Sequence, residues 1–182
     1  MEIINTPIKD LVVIKPKVFA DARGFFFETY NEERYREAGI TQKFVQDNMS
    51  KSSYGVVRGL HFQKPPYSQA KLVQVIEGAV LDVAVDLRSN SETYGQWYAV
   101  ELTAENHLQF LIPRGFAHGF LVLSEEAVFT YKVDNVYAPQ ADAGIIYNDP
   151  QIGIKWDIEA DKVLLSEKDC KLPKLADAVV FE

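Results

Sequence analysis

Hydrophobic and polar positions alternate over most of this chain with the two-residue period of β-strands. Turn-forming residues separate the alternating runs, as they do in β-sandwiches and β-barrels. The pattern predicts strands within LVVIKPKVFA, GFFFETY, KFVQDN, GVVRGLHFQ, KLVQVIEG, AVLDVAVDLR, QWYAVEL, LQFLIP, GFLVLS and AVFTYKVDNVY. We therefore expect a mainly β fold that forms a small barrel with a usable interior.

Two of these runs show which side chains share a face of the sheet. In AVLDVAVDLR, Asp82 and Asp86 lie on one face. The opposite face carries Leu81, Val83, Val85 and Leu87. In AVFTYKVDNVY, one face carries Phe129, Tyr131 and Val133. The Tyr131 hydroxyl therefore has apolar neighbours and needs a hydrogen-bonding partner.

Capping residues predict two short helices. In NEERYREAG, Asn31 is the expected N-cap, Glu32 and Glu33 occupy the first turn, and Gly39 ends the helix. A second helix is expected near LSEKD, with Ser166 as its cap.

Length and composition predict one domain over residues 1–182, of which 47% are hydrophobic. No apolar run reaches the ~20 residues of a membrane helix. The N-terminal MEIINTPIKDLVV has no basic-then-apolar signal region. A single cysteine, Cys170, fits a reducing compartment, so we expect a cytoplasmic protein with no membrane partner.

The charge balance bears on the possible ligands. With 19 basic and 26 acidic residues the net charge is −7. Nucleic-acid binding requires a positive face, so we expect no nucleic-acid partner. Because the net charge is negative, an anionic substrate would need a local group of arginines and lysines at its binding site.

The run PRGFAHGF, residues 113–120, resembles the second motif of the cupin superfamily, whose fold is a jelly-roll barrel. Its histidine, His118, also has a plainer interpretation. It could be a barrel histidine that holds a neighbouring carboxylate, with Asp82 as the candidate.

Cupin metal sites draw also on a first motif, His-x-His followed by Glu. Here that stretch reads His61-Phe62-Gln63-Lys64, so glutamine replaces the second histidine and no glutamate follows. A transition-metal site needs about three converging nitrogen or carboxylate ligands, and the nearby Lys71 would disfavour a cation. We expect no metal, which leaves His61 as a proton-transfer base or a core histidine.

Two other segments carry candidate binding residues. In DARGFFFETY, Arg23 and Glu28 flank an aromatic strand, a pattern that a surface strand with a solvated ion pair also produces. In YKVDNVYAPQ, Tyr137 is either a rim residue or a platform for stacking a base. These residues alone leave both alternatives open.

Together these segments closely resemble the dTDP-4-dehydrorhamnose 3,5-epimerase family, from about Pro7 to about Asp169. The similarity lies in FADARGFFFETYN, QDNMSKSSYGVVRGLHFQKPPYSQAKLVQVIEGAVLDVAVDLR, LIPRGFAHGFLVLSEEAVFTYKVDNVYAP, GIIYNDPQIGIKW and LSEKD. It implies an all-β, cupin-type jelly-roll β-barrel with a few short helices. It also implies a homodimer whose N-terminal strands pair with the neighbouring subunit, so that Arg23 and Glu28 act across the interface.

The implied substrate is a dTDP-sugar, and the implied reaction needs no cofactor. dTDP-4-dehydro-6-deoxy-D-glucose is epimerised at C3 and C5 to dTDP-4-dehydro-L-rhamnose, in dTDP-L-rhamnose biosynthesis. His61 matches the base and Asp169 its carboxylate partner. Tyr131 matches the proton donor on the opposite face, and Lys71 lies beside the C4 oxygen, where an ammonium stabilises an enolate.

The other matched positions contact substrate in the family. They are Arg23, Glu28, Gln46, Asn48, Arg58, Lys71, His118, Tyr137, Asp142 and Lys168. Arginine suits a diphosphate because its planar fork donates two hydrogen bonds. Tyr137 matches the residue that stacks on thymine, and Asp142 is one methylene shorter than the glutamate of many relatives.

The spacing of Arg58 and His61 conflicts with simple alternation. Three positions apart, they belong on opposite faces of one strand. Either a bulge at Gly59 re-aims one of them, or Arg58 reaches the ligand from the barrel mouth.

Other functions remain open at this point. The same fold hosts epimerases that invert only C3 or only C5, and ketoisomerases of related sugars. A metal-dependent cupin oxygenase and a non-catalytic sugar-nucleotide binding module are alternatives from other classes.

Overall fold

The alternating runs form most of the strands in the structure, a computed structural model that describes residues 1–178 and 181. Within that part of the chain there are thirteen strands, one α-helix and four 3-10 helices. The strands are β1 Glu2–Asn5, β2 Val12–Lys15, β3 Phe19–Asp21, β4 Gly24–Phe26, β5 Gln46–Ser53, β6 Val57–Gln63, β7 Lys71–Glu77, β8 Ala79–Asp86, β9 Trp97–Thr103, β10 Gln109–Ile112, β11 Phe116–Val122, β12 Glu126–Val133 and β13 Asp142–Gly144. The helices are α1 Glu32–Glu37 and the 3-10 helices Pro139–Ala141, Ala160–Lys162, Asp169–Lys171 and Leu175–Asp177. None of these helices, across the described residues, has the length and apolar character needed to cross a membrane.

Two antiparallel sheets form opposite walls. One has the strand order β1-β2-β10-β7-β12-β5, and the other has the order β13-β6-β11-β8-β9. Strands β3 and β4 pair only with each other, as a hairpin separate from both walls within the described chain. The mainly β fold predicted from the alternation is confirmed.

Apolar side chains from both walls form a core between them. Val73, Phe110 and Phe129 of the six-stranded sheet belong to the same cluster as Ala84 and Phe120 of the five-stranded sheet. Each of these residues is at most 5% exposed. Burial of apolar area on this scale is the main stabilising contribution to such a fold.

The outer faces of both walls are covered as well. Val83 and Val85 of β8 pack outward against Trp156 of the C-terminal segment. Tyr35 of α1 packs on the other wall. The apolar face predicted for β8 therefore lies outside the barrel, and its opposite face delivers the buried Asp82 to the interior.

Most strand boundaries follow the predicted runs, with a few differences. LVVIKPKVFA divides into β2 and β3 around Pro16, which has no N–H for pairing. The alternation does not predict β1 or β13, which are four and three residues long. Runs this short contain too few alternations for the period to show.

Both predicted helices form, one of them in a tighter geometry. At α1, the Asn31 side chain accepts a hydrogen bond from the Arg34 N–H at 3.1 Å, and Gly39 follows with a φ of +88°. Near LSEKD the helix is the 3-10 helix Asp169–Lys171. Its first N–H donates to the Ser166 hydroxyl at 3.1 Å.

A bulge in β6 resolves the conflict between Arg58 and His61. Arg58 pairs with Phe120 and His61 pairs with His118, so three residue steps on β6 oppose two on β11. Gly59, within the bulge, has a φ of +118°. The extra residue reverses the alternation, and the first of the two alternatives raised by the sequence is the correct one.

Substitution of Gly59 by alanine should strongly destabilise the fold. A Cβ there would lie 2.6 Å from the His118 carbonyl oxygen and 2.7 Å from the Gly119 Cα. A penalty of about 1–2 kcal/mol for the left-handed backbone then adds to about 1–3 kcal/mol for overpacking. We expect Gly59→Ala to lower the free energy of unfolding, measured by urea denaturation, by roughly 3 kcal/mol.

Gly39→Ala is the matched control for this substitution. Gly39 also has a positive φ, but a Cβ there would have no atom within 4 Å among the described residues. Only the backbone penalty of about 1–2 kcal/mol should appear. Equal losses for the two variants would contradict the steric argument.

Candidate active site

A histidine–carboxylate pair lies where β6 meets the 3-10 helix Asp169–Lys171. His61 Nε2 and Asp169 Oδ1 are 2.6 Å apart. The Asp169 side chain is 4% exposed and that of His61 is 30% exposed. The carboxylate is therefore fixed and dry, while the ring remains accessible and keeps Nδ1 for another partner.

The surroundings of Asp169 favour its ionised form. Burial alone would raise the pKa of this carboxyl group, but the hydrogen bond and charge of His61 oppose it, with help from the Gly59 backbone and the Ser166 side chain. The pKa of Asp169 is consequently held below its ordinary value. An ionised Asp169 orients the His61 ring and stabilises a positive charge on it.

His61 shares a small interior cavity with Tyr131, which comes from the opposite wall. The cavity has a volume of about 160 Å³, and its other lining residues are Met49, Ser50, Arg58, Lys71, His118, Phe120 and Phe129. β6 belongs to the five-stranded sheet and β12 to the six-stranded sheet. A molecule in this cavity would therefore have the imidazole and the phenol on different sides.

The Tyr131 phenol is kept protonated. Burial raises its pKa above the ordinary value, and the charge of Arg58 opposes that shift only in part. The ring packs against the core between the sheets. Its hydroxyl has no hydrogen-bonding partner among residues 1–178 and 181, so it is free to donate to a ligand.

Lys71 brings a positive charge to the same cavity from the first position of β7. Its Nζ donates a hydrogen bond to the His61 carbonyl oxygen at 3.5 Å. Burial lowers the pKa of Lys71 to about 8, and the carboxylates of Asp82 and Asp142 oppose this shift. The group is therefore mostly an ammonium at neutral pH, at a site where water screens its charge poorly.

His118 forms a second buried histidine–carboxylate pair, with Asp82. His118 Nε2 is 3.0 Å from both carboxylate oxygens. Burial lowers the pKa of His118 and raises that of Asp82, and the attraction between the two opposes both shifts. The pairing suggested by the sequence is present, and His118 also lines the cavity.

Arg58 extends the site towards the cavity mouth. Its Nε donates to the Ser52 hydroxyl at 2.9 Å, and a terminal nitrogen lies 3.4 Å from the Lys51 carbonyl oxygen. A second cavity, of about 420 Å³, shares Arg58 and His61 with the first and continues to Lys168 and Asp169. A ligand that spans the two cavities would contact both Arg58 and His61.

Five more of the sequence-predicted residues form one connected polar group, here called the rim, of which Lys168 lines the second cavity. The Gln46 amide donates to Asn48 at 2.9 Å and accepts from the Tyr137 N–H at 3.1 Å. The Tyr137 hydroxyl donates to Asp142 at 3.4 Å, and Asp142 is also ion-paired with Lys168. The Tyr137 ring itself is 55% exposed.

Arg23 and Glu28 lie apart from this group. Arg23 is at the turn of the β3–β4 hairpin and pairs with Asp21 at 2.6 Å, while Glu28 pairs with Arg34 at 3.1 Å. Neither lines the cavities next to His61. In a single chain they form the exposed ion pairs that the plainer interpretation of DARGFFFETY describes.

The sequence did not single out two residues that support the site. Ser52 holds the Arg58 side chain, and the buried Gln63 amide bonds to backbone groups at Tyr67, Val136 and Ala138. In the sequence, Gln63 indicates only a departure from the cupin metal motif. Among the described residues, no three His, Cys, Asp or Glu side chains are grouped as metal ligands would be.

The chain is similar to known proteins over almost its whole length. The family model described as dTDP-4-dehydrorhamnose 3,5-epimerase matches residues 5–177. The dTDP-4-dehydrorhamnose 3,5-epimerase of Shigella flexneri is 50% identical over 182 residues, covering 100% of this chain and 99% of the relative.

Solved structures give the same result. The dTDP-4-dehydrorhamnose 3,5-epimerase of Elizabethkingia anophelis NUHP1 has a TM-score of 0.93 at 55% identity and covers 97% of each chain. The dTDP-6-deoxy-D-glucose-3,5-epimerase of Legionella pneumophila, in complex with dTDP-4-keto-L-rhamnose, has a TM-score of 0.93 at 50% identity, covering 97% of this chain and 93% of that one. These neighbours have the cupin fold, so the predicted cupin-type fold is confirmed.

We expect Lys71 to titrate near pH 8, because burial lowers its pKa to about that value. Between that pH and the ordinary pKa of ~10.4, unfolded Lys71 binds more protons than folded Lys71. The free energy of unfolding of the wild type should therefore rise with pH across this window, relative to Lys71→Met. Side-chain NMR gives the titration, and urea unfolding at about pH 8 and about pH 10 gives the stability.

Lys51→Met provides the control. Lys51 is a surface lysine paired with Glu126, and that ion pair raises its pKa. Lys51 therefore titrates above the range between about pH 8 and about pH 10. The Lys51→Met substitution should leave the pH dependence of the free energy of unfolding unchanged across that range. A Lys71 signal that titrates above about pH 10 would contradict the effect of burial.

Proposed function

The chain belongs to the dTDP-4-dehydrorhamnose 3,5-epimerase family, and we propose that it inverts C3 and C5 of dTDP-4-dehydro-6-deoxy-D-glucose to give dTDP-4-dehydro-L-rhamnose. One observation carries the proposal. His61, which is paired with Asp169, and the Tyr131 phenol come from opposite walls and line one cavity, which Lys71 also lines. Inversion next to a ketone needs this set of groups, since one face must lose a proton and the other must gain one.

The chemistry proceeds through an enolate. His61 removes the proton from the carbon next to the C4 carbonyl, and the C–H electrons move into the carbonyl, which becomes an enolate oxygen. Tyr131 returns a proton to the same carbon from the opposite face, and the carbonyl re-forms. The phenolate then regains a proton and His61 releases one, so atoms and charge balance with no oxidant or metal. Repetition at the second carbon completes the reaction.

Asp169 and Lys71 assist different charges in this scheme. The ionised Asp169 stabilises the imidazolium that forms on His61. Lys71, half-buried beside the His61 backbone, stabilises the developing enolate oxygen. Because the site is poorly screened, a fixed ammonium contributes more there than it would in water.

The rim would bind the nucleotide part of the substrate. Arg58 suits the diphosphate, because a guanidinium donates paired hydrogen bonds to phosphate oxygens. The exposed Tyr137 ring offers a face on which thymine can stack. Gln46, Asn48, Asp142 and Lys168 supply further polar contacts around it.

Arg23 and Glu28 would act in a homodimer. They lie on or next to the β3–β4 hairpin, which pairs with neither wall of its own chain among the described residues. Phe19, Phe25 and Phe26 of this hairpin are 55%, 61% and 71% exposed. Apolar exposure of this kind is typical of a subunit interface, so the hairpin would deliver Arg23 to the partner's site.

Incubation with dTDP-4-dehydro-6-deoxy-D-glucose in deuterated water, followed by proton NMR, tests the proposal directly. We expect deuterium at both C3 and C5, because each centre loses its proton and regains one from exchangeable groups. Deuterium at one carbon only would indicate a C3-only or C5-only epimerase. Migration of the carbonyl would indicate a ketoisomerase.

The same assay separates the other classes of function. Binding without any exchange would indicate a sugar-nucleotide binding module. Activity that requires a bound iron, and is lost on chelation, would indicate a cupin oxygenase. Each of these results would overturn the proposed epimerisation.

Substitutions at His61 and Tyr131 should strongly slow turnover while preserving dTDP binding. We expect His61→Asn, His61→Ala and Tyr131→Phe each to lower kcat by about 100-fold to 10,000-fold, the usual contribution of a positioned acid or base. Binding of dTDP, measured by calorimetry, should change little, because the nucleotide is held at the rim.

Tyr94→Phe is the matched control for Tyr131→Phe. Tyr94 is 36% exposed and lies outside both cavities. This variant should retain full activity. Full activity in a His61 variant would remove that residue from the role of base.

A further inference from the structure

Gln63, the last residue of β6, is a buried side chain whose amide nitrogen and oxygen are both hydrogen-bonded. It is 4% exposed. Its Nε2 donates to the Tyr67 carbonyl oxygen at 2.7 Å and to the Val136 carbonyl oxygen at 3.2 Å. Its Oε1 accepts from the Ala138 N–H at 2.7 Å. One amide therefore ties three backbone groups together, and the bond to the Ala138 N–H is buried, where leaving that group unpaired is costly.

Two of these backbone groups are the immediate neighbours of Tyr137. Gln63 holds the carbonyl before it and the N–H after it, and Gln46 accepts from the N–H of Tyr137 itself. The Tyr137 backbone is thus fixed at three consecutive residues, although its ring is 55% exposed. A residue with this degree of exposure has little side-chain packing to hold its ring in place, so the direction of the ring is set by the backbone and by the long hydroxyl contact with Asp142 at 3.4 Å.

Other polar side chains join the same two loops but do not flank Tyr137. The Gln69 amide donates to the Asn135 carbonyl oxygen at 2.7 Å, and the Asn135 amide lies 3.4 Å from the Pro66 carbonyl oxygen. Gln69 is only half-buried, and the contact between the Asn135 amide and the Pro66 carbonyl oxygen is exposed to solvent. Within the described chain, Gln63 is the buried residue that spans both sides of Tyr137.

We propose that Gln63 is a positioning residue for nucleotide recognition: it holds the backbone around Tyr137 so that the ring is already oriented for a pyrimidine base. The inference rests on the proposed function and deepens it. An oriented ring avoids the ordering cost that a mobile tyrosine would incur on binding, so the effect falls on affinity. Proton transfer at His61 and Tyr131 does not pass through Gln63, so kcat should be spared.

The test compares Gln63→Leu, which removes all three hydrogen bonds at similar size, with Gln69→Leu as the matched control. We expect Gln63→Leu to weaken dTDP binding by about fivefold to tenfold, a part of what a base–aromatic stack contributes. KM for the dTDP-sugar should rise by a similar factor, and kcat should stay within about twofold. Gln69→Leu should change dTDP affinity by less than about twofold, because its contact does not flank Tyr137.

A double-mutant cycle with Tyr137→Ala separates positioning from a general structural effect. Without the ring there is nothing for Gln63 to orient, so adding Gln63→Leu to Tyr137→Ala should weaken dTDP binding by less than about twofold. If Gln63→Leu fails to fold, Gln63→Glu keeps the size and the acceptor for the Ala138 N–H while an ionised carboxylate loses both donated bonds. It should weaken dTDP binding in the same direction.

Three results would overturn the inference. They are wild-type dTDP affinity in the folded Gln63 variants, a fall in kcat with KM unchanged, or the same loss of affinity with and without the Tyr137 ring. The dTDP measurement does not depend on epimerisation. A wild-type protein that binds dTDP without turnover would therefore refute the proposed reaction while leaving the effect of Gln63 open to measurement.

Discussion

The close approach of β6 and β11 at Gly59 and Gly119 is the constraint on which the site depends. A Cβ on Gly119 would lie 2.6 Å from the Arg58 carbonyl oxygen, and a Cβ on Gly59 would be equally close to that of His118. The two strands can approach this closely because both positions are glycine and carry no side chain. The bulge that results brings Arg58 and His61 into the same cavity, which neither alternation nor rotamer choice could achieve.

Burial then determines how the polar groups in the interior behave. Both histidines that line the cavity are paired with buried carboxylates, and the Lys71 ammonium, which lines the same cavity, has its pKa lowered to about 8. Charges in this environment are screened poorly, so each pairing has a large effect on its partner. The largely apolar core between the sheets is thus a condition for the proposed proton transfers, as well as the source of stability.

The alternation of hydrophobic and polar residues predicts which segments form strands better than it predicts which face of each strand points into the barrel. β8 shows why: its alternation separates Leu81 and Val83 from Asp82, but cannot tell which face is interior. The apolar face proved to be the outer one, since the C-terminal segment covers it. β13 has three residues and no readable period, and the bulge depends on contact between residues about sixty positions apart. The site residues around the cavities were predicted by resemblance to a family. Residue type and spacing by themselves left two interpretations open for each of His61, Arg23 and Tyr137.

Gln63 illustrates how one position can be understood differently at each level. In the sequence it marks the absence of a second histidine, which argues only against a metal. In the structure its amide bonds to three backbone groups, so neither of its N–H groups is left to serve a ligand in the cavity. A glutamine here joins two loops that an imidazole, with two ring nitrogens, could not bond in the same way. The glutamine at the position of the second cupin-motif histidine thus contacts the backbone on both sides of Tyr137, which places its proposed effect in nucleotide binding and leaves proton transfer to other residues.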